Sequence, residues 1–336
     1  MSNFVVSEEG DDIGELKHLS NLRGSLRISN IKGVVKEAIL KDKEYLRHLT
    51  LRFNDDDDDD DEAVKNDDDD EAVKNSCPYL EVSYLPPSLE ELKLENDASS
   101  LLISLPIQNG PHTNLKSLAI RYSPHLTLPQ GLSQLKALQT LYVSNCDSLT
   151  CMSNEIGEMK HWEEWVIKTI VNITLMPLLQ TLSIWNCPML KSLPCQILSS
   201  SSLREMTIDS CPHLEVSYLP LCLEKLTLQS DAGPLSISLP IQNGLHTNLK
   251  SLAIQYSPHS TLPQGLSQLK ALQTLYVSNC DSLTCIPDEL KHLTSLQVLK
   301  ICGCPILGPR CKKEVGEDWS IISHIPNIHI DWKKIQ

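Results

Sequence analysis

The feature that most constrains this chain is a spacing: segments of the form LxxLxL, often continued as xxC, recur along its length. Leu138-Leu141-Val143-Cys146, Leu179-Leu182-Ile184-Cys187, Leu203-Met206-Ile208-Cys211, Leu272-Leu275-Val277-Cys280 and Leu296-Leu299-Ile301-Cys304 carry the full pattern. Leu46-Leu49-Leu51, Leu89-Leu92-Leu94, Leu115-Leu118-Ile120, Leu223-Leu226-Leu228 and Leu249-Leu252-Ile254 carry it without the cysteine. An LxL pair is a short strand whose alternate side chains face one way, and the earlier leucine and later cysteine turn into the same interior. No single unit buries that face alone, so the units must stack.

Many neighbouring starts lie 20 to 26 residues apart, the period of a leucine-rich repeat. The expected fold is an α/β leucine-rich-repeat solenoid, with short parallel strands on the concave face and a mostly irregular or short-helical convex side. Strands about 4.8 Å apart on one side, against bulkier connections on the other, bend such a stack into a horseshoe. One domain is expected over residues 13–330, with a flexible stretch at 1–12 and a polar tail at 331–336. Ile325, Ile328 and Ile330 repeat the spacing once more near that end. No polar cap precedes residue 13, which predicts a further unit in front, since the terminal unit of a solenoid needs one.

Two irregular gaps have repeat-based explanations. Leu46 to Leu89 is 43 residues, but removing the 21 of an acidic tract at 55–75 leaves 22, an ordinary repeat. That tract contains DDDDEAVKN twice in tandem, and its self-repulsion and lack of apolar residues predict a solvated, disordered insertion. It lacks the glycine turn and ligand spacing of a calcium loop. The second gap, Leu138 to Leu179, spans 41 residues. Residues 77–151 align with 211–285 at an offset of 134 with 62 identities in 75 positions, an internal duplication of several repeats. Extending that offset sets Trp162, Trp165 and Ile167 under Leu296, Leu299 and Ile301, either as a degenerate strand or, given the short distance to Leu179, as an irregular convex loop.

Charge narrows the function classes. The formal net charge is −14, but the acidic tract holds eleven Asp, two Glu and two Lys, so the rest of the chain carries only −3. No basic patch with interleaved aromatics is present, and no nucleic-acid partner is expected. The N-terminus lacks the basic start and apolar run of a signal peptide, and no apolar stretch is long enough to span a bilayer; the chain reads as cytoplasmic, without a membrane partner. Five of the twelve cysteines recur at one place in the repeat, which suits small buried thiols better than disulfides. Cys302 and Cys304 form a lone CxC without a second ligand pair, so no metal is expected.

Several segments together resemble the C-terminal part of plant nucleotide-binding, leucine-rich-repeat disease-resistance proteins of the coiled-coil class. They are GELKHLSNLRGSLRISNI, LKDKEYLRHLTLRF, the WEEW segment, the repeated LxIxxCPxL and the ending CPILGPRCKKEVGEDWSIISHIPNIHID. The ending is the most specific, because generic repeats share only the leucines. The resemblance implies a protein-recognition module of plant immunity, whose partner is a pathogen effector, a guarded host protein or the nucleotide-binding domain of its own receptor. No GxxxxGK[ST] phosphate loop is present, so the chain has no nucleotide site, and no cofactor is expected. A second reading is a general leucine-rich-repeat scaffold or ubiquitin-ligase substrate adaptor, although no adaptor motif is visible.

Residues between and beside the interior leucines point to the concave face. Arg52, Arg121, Tyr142, Trp185, Asp209, Tyr276 and Lys300 are the candidate protein-binding positions, since exposed aromatics and arginine are favoured as interface anchors. Catalytic signatures are absent: there is no HExxH and no GxSxG, and His161 beside Glu163 and Glu164 lacks a second histidine at metal spacing. The chain is read as a binding protein rather than an enzyme.

Overall fold

A computed structural model of the chain describes residues 2–5, 18–19, 21–31, 43–53, 86–96, 114–128, 132, 135–152, 176–241 and 248–336. Within them, every LxL pair is a strand. The strands are β1 (Ser2–Val5), β2 (Arg23–Ile31), β3 (Tyr45–Phe53), β4 (Glu91–Glu95), β5 (Ser117–Arg121), β6 (Thr140–Ser144) and β7 (Thr181–Trp185). Then follow β8 (Glu205–Asp209), β9 (Lys225–Gln229), β10 (Ser251–Gln255), β11 (Thr274–Ser278), β12 (Val298–Cys302), β13 (Asn327–Ile330) and β14 (Lys333–Lys334). They form one sheet in chain order, parallel throughout except for β14, which returns antiparallel to β13. The other side carries single turns of helix, among them α1 (Cys195–Leu198) and 3-10 turns at Leu266–Gln268 and Asp288–His292. The fold is therefore a parallel-strand leucine-rich-repeat solenoid with few helices.

Register explains why the leucines must recur. Leu92, Leu118, Leu141, Leu182, Met206, Leu226, Leu252, Leu275, Leu299 and Ile328 stand on consecutive rungs as Cα partners. Each is buried, and all belong to a single apolar cluster running the length of the stack. Removing such a side chain from water contributes about 1.5–3 kcal/mol per residue, but only when neighbouring rungs cover it.

The cysteine column has a specific job. The thiols of Cys146, Cys187, Cys211, Cys280 and Cys304 are buried, and each donates to the carbonyl two residues earlier, at 3.3, 3.4, 3.2, 3.3 and 3.5 Å. The residue skipped over is left-handed each time: Asn145, Asn186, Ser210, Asn279 and Gly303 have φ between 48° and 62°. A small side chain with a weak donor closes the turn that leads the chain out of the sheet, and burial does not punish it as it would a stronger polar group. Ten cysteines among the described residues are free thiols.

Two expectations about the ends need correction. Ser2–Val5, expected to be flexible, pair with β2 from Ser2↔Leu26 to Val5↔Ser29. Residues 331–336, expected as a tail outside the stack, form β14 and its surroundings: His329 pairs with Lys334, and the Gln336 side-chain amide donates to the carbonyls of Ser323 (2.8 Å) and Ile325 (2.7 Å). Asp331 also accepts a hydrogen bond from the Gly303 N–H at 2.9 Å. An antiparallel return covers the open edge of the last parallel strand, satisfying backbone groups that would otherwise invite another chain.

Direct strand pairing bridges both gaps. β3 pairs directly with β4, His48↔Glu91 through Arg52↔Glu95, as subtraction of the acidic tract requires; the tract itself lies outside the described residues. β6 pairs directly with β7, Thr140↔Thr181 through Ser144↔Trp185; residues 162–167, read either as a degenerate strand or as a convex loop, lie outside the described residues.

Candidate functional site

Because alternate strand residues leave the core, the same register that stacks the leucines builds outward columns. One runs Arg52, Glu95, Arg121, Ser144, Trp185, Asp209, Gln229, Gln255, Ser278 and Cys302. Beside it run Thr50, Lys93, Ala119, Tyr142, Ser183, Thr207, Thr227, Ala253, Tyr276, Lys300 and His329. All seven candidate positions fall in these two columns, and the solenoid sorts them into two groups.

The first group is continuous. Arg52 and Arg121 flank Glu95, which accepts from Arg27 at 3.3 Å and pairs with Arg121 at 3.6 Å. The Arg121 guanidinium carbon lies 5.0 Å from the centroid of the Tyr142 ring, and that ring lies 6.1 Å from Trp185 at a tilt of 44°. Such tilted aromatic pairs and guanidinium contacts are each worth about 0.5–1.5 kcal/mol and, more usefully, hold large side chains still. Asp209 follows Trp185 by one rung. Exposed Arg52 on β3 and half-buried positions on β5, β6, β7 and β8 thus make one strip in which charge gives way to aromatic surface.

The second group is Tyr276 and Lys300, Cα partners on β11 and β12. Three rungs, β8 to β10, separate it from Trp185. Tyr276 copies Tyr142 through the duplication, but its surroundings do not: Gln255 stands where the first copy has Arg121, and its amide oxygen accepts from Gln229 at 2.9 Å.

Sequence reasoning put Glu95 on the strand face without foreseeing that it links Arg27 and Arg121, and it missed Tyr122 and Tyr256. These two tyrosines are exposed, with φ of 55° and 53°, in a column that elsewhere carries Asn96, Asn145, Asn186, Asn279, the serines Ser210 and Ser230, and Gly303. A bulky side chain in the left-handed region is unusual, and the asparagines at that offset were the signal that could have marked it. At the rim just before the strands, Glu90 lies between Arg47 and Lys116, and Glu224 between Arg204 and Lys250. Hydrogen bonds from Lys116 and Lys250 hold these two carboxyls below the usual carboxylate range.

Among the described residues, no group of three or more His, Cys, Asp or Glu could hold a metal ion, and no helix is long and apolar enough to cross a membrane.

Two family models match the chain. One is described as R13L1/DRL21 LRRs, over residues 13–104 and 242–304, and the other as Plant disease resistance protein RPS2-like, leucine-rich repeats, over residues 88–229. Disease resistance protein RGA2 of Solanum bulbocastanum is 30% identical over 98% of this chain and 36% of its own length. Putative disease resistance protein RGA4 of the same plant is 44% identical over 16% of the chain and 6% of its own length. Protein SUPPRESSOR OF npr1-1, CONSTITUTIVE 1 of Arabidopsis thaliana is 28% identical over 52% and 12%. The chain thus spans about a third or less of the length of these relatives. Among solved structures, the functional domain of InlJ from Listeria monocytogenes has 16% identity and a TM-score of 0.42, over 95% of this chain and 54% of that one.

Proposed function

Since this chain is a leucine-rich-repeat region of the plant NLR-type disease-resistance proteins, a recognition module of plant defence, we propose that it binds its protein partner through the strand face. The partner is a pathogen effector, a guarded host protein or the nucleotide-binding domain of its own receptor, met in the cytoplasm. The observation that carries this reading is the Arg121–Tyr142–Trp185 strip, where three large side chains of the types favoured at interface anchors touch across three rungs. Mutual contact lowers the entropy lost when a partner immobilises them.

The test compares the chain with a variant carrying Arg121→Glu, Tyr142→Ala and Trp185→Ala, and with a Lys291→Glu control on the 3-10 turn away from the strands. Affinity is measured by calorimetry against a resistance-protein nucleotide-binding domain and a panel of purified effectors. The expected result is a partner whose affinity falls about thirtyfold or more in the triple variant and is unchanged in the control. A partner bound equally well by both variants would place recognition on another surface.

A further inference from the structure

Three polar atoms on consecutive rungs are shielded from water and have no hydrogen-bond partner: Arg121 Nε, Ser144 Oγ and Trp185 Nε1. They belong to one column, as Arg121 is the Cα partner of Ser144 and Ser144 of Trp185. Buried donors in native proteins are nearly always satisfied, so three neighbouring orphans call for an explanation. All three can donate, and each lacks an acceptor.

We infer that the Arg121–Ser144–Trp185 column, flanked by the Tyr142 ring, is a subsite for a glutamate side chain presented by an extended segment of the partner protein. An ionised carboxylate accepts without donating and has room for several donors at once, which matches a guanidinium N–H, a hydroxyl and an indole N–H on adjacent rungs. The Tyr142 and Trp185 rings offer apolar surface to the methylene stem. Charge in this part of the column agrees among the described residues: Arg27 and Arg121 pair with Glu95, and Arg52 stands opposite Glu95 on the next rung, three guanidiniums to one carboxylate. Asp209, one rung beyond Trp185, disfavours a second acid there and so sets the direction in which an acidic segment lies.

The duplication supplies an internal control. At the equivalent place Gln255 replaces Arg121 and is already engaged with Gln229, Ser278 repeats Ser144, and the next rung, beyond the duplicated segment, carries Cys302 where the first copy is followed by Trp185. The same backbone therefore carries the donor row once and a neutral, self-satisfied row once.

This inference rests on recognition through the strand face, and its test separates the two. The full chain, 15N-labelled, is titrated with the capped peptide acetyl-Ala-Leu-Glu-Leu-Ala-amide and with its Gln counterpart, while the indole N–H resonance of Trp185 is followed. That resonance is assigned by its loss in Trp185→Phe. The Glu peptide should shift it to saturation and the Gln peptide should bind at least about tenfold more weakly. Trp185→Phe, which keeps a ring but removes the donor, and Arg121→Gln should each weaken the Glu peptide about tenfold, and Lys291→Glu on the 3-10 turn away from the strands should not. Equal binding of the two peptides, saturation without movement of the Trp185 indole, or no shift at millimolar peptide would each overturn the subsite. If a protein partner loses affinity with Trp185→Ala but keeps it with Trp185→Phe, recognition through this face stands and the glutamate subsite falls.

Discussion

Gly316 offers a sharp test of how the last unit is held. A Cβ at this position would lie 2.1 Å from the Arg310 carbonyl oxygen, 2.6 Å from its carbon and 2.7 Å from the Lys312 nitrogen, where ordinary contact begins near 3.4 Å. All three atoms are backbone, so no side-chain rotation relieves the overlap, and the 310–318 turn must open. Opening it displaces buried Asp318, whose Oδ2 accepts from the Ile286 N–H at 3.0 Å and from Arg310 Nε at 3.1 Å, while Oδ1 accepts from Arg310 Nη2 at 2.8 Å. Leaving the buried Ile286 N–H without an acceptor costs about 1–3 kcal/mol, and forcing a methyl into a filled space about 1–3 kcal/mol more. Gly316→Ala should therefore destabilise the terminal unit by about 2–6 kcal/mol. Because a solenoid's rungs contact only their neighbours, the effect should stay local. Hydrogen exchange read by mass spectrometry should show faster exchange in peptides covering β12, β13 and residues 311–326, with β7 and β8 unchanged. Unaltered exchange at the C-terminal end would refute the reasoning, and uniform loss of protection would refute its local, rung-by-rung basis.

Other expectations follow from the same geometry. Burial, reinforced by the charge of Asp318, pushes the Cys311 thiol up to about 12, and a hydrogen bond with Cys187, together with burial, pushes the Cys146 thiol up. At pH 8 both should stay protonated, and site-resolved alkylation of the native chain should label half-buried Cys222 and Cys285 well before Cys146 and Cys311; equal labelling would show that the core is open. Tyr256→Asn should raise the denaturation midpoint, by about 0.5–1 kcal/mol in stability, because asparagine tolerates the left-handed backbone and the exposed ring gives up little burial. A lowered midpoint would mean that the ring contributes more than its backbone strain costs. Deleting residues 55–75 should leave the far-ultraviolet circular dichroism and melting curve largely intact, and a collapsed spectrum would make the tract part of the fold.

Much of the architecture was legible before any coordinates. Strand position, inward leucines and the buried cysteine column follow from local rules: alternate residues of a strand face one way, and a face of that composition must be covered. The ends were less legible. Ser2–Val5 and Lys333–Lys334 carry no leucine pattern, and what identifies them as strands is backbone pairing with β2 and β13. The importance of the RCKKEVGEDW ending could be felt from resemblance alone, but its reason, Asp318 reaching Ile286 in the preceding unit, is a contact between residues distant along the chain.

For the candidate site, the sequence by itself determined which side chains leave the core, and it named Arg121, Tyr142 and Trp185 among them. Only the tertiary structure decided that they meet. Their contact depends on the order of the rungs: direct pairing of β6 with β7 brings Trp185 beside Tyr142, although the two lie far apart along the chain. It also separated two nearly identical copies, since Tyr142 and Tyr276 lie in identical strands and differ in what the neighbouring rungs carry. Inward composition is a local property of a strand, but the chemistry of an outward face belongs to the column, and columns exist only once the rungs are stacked.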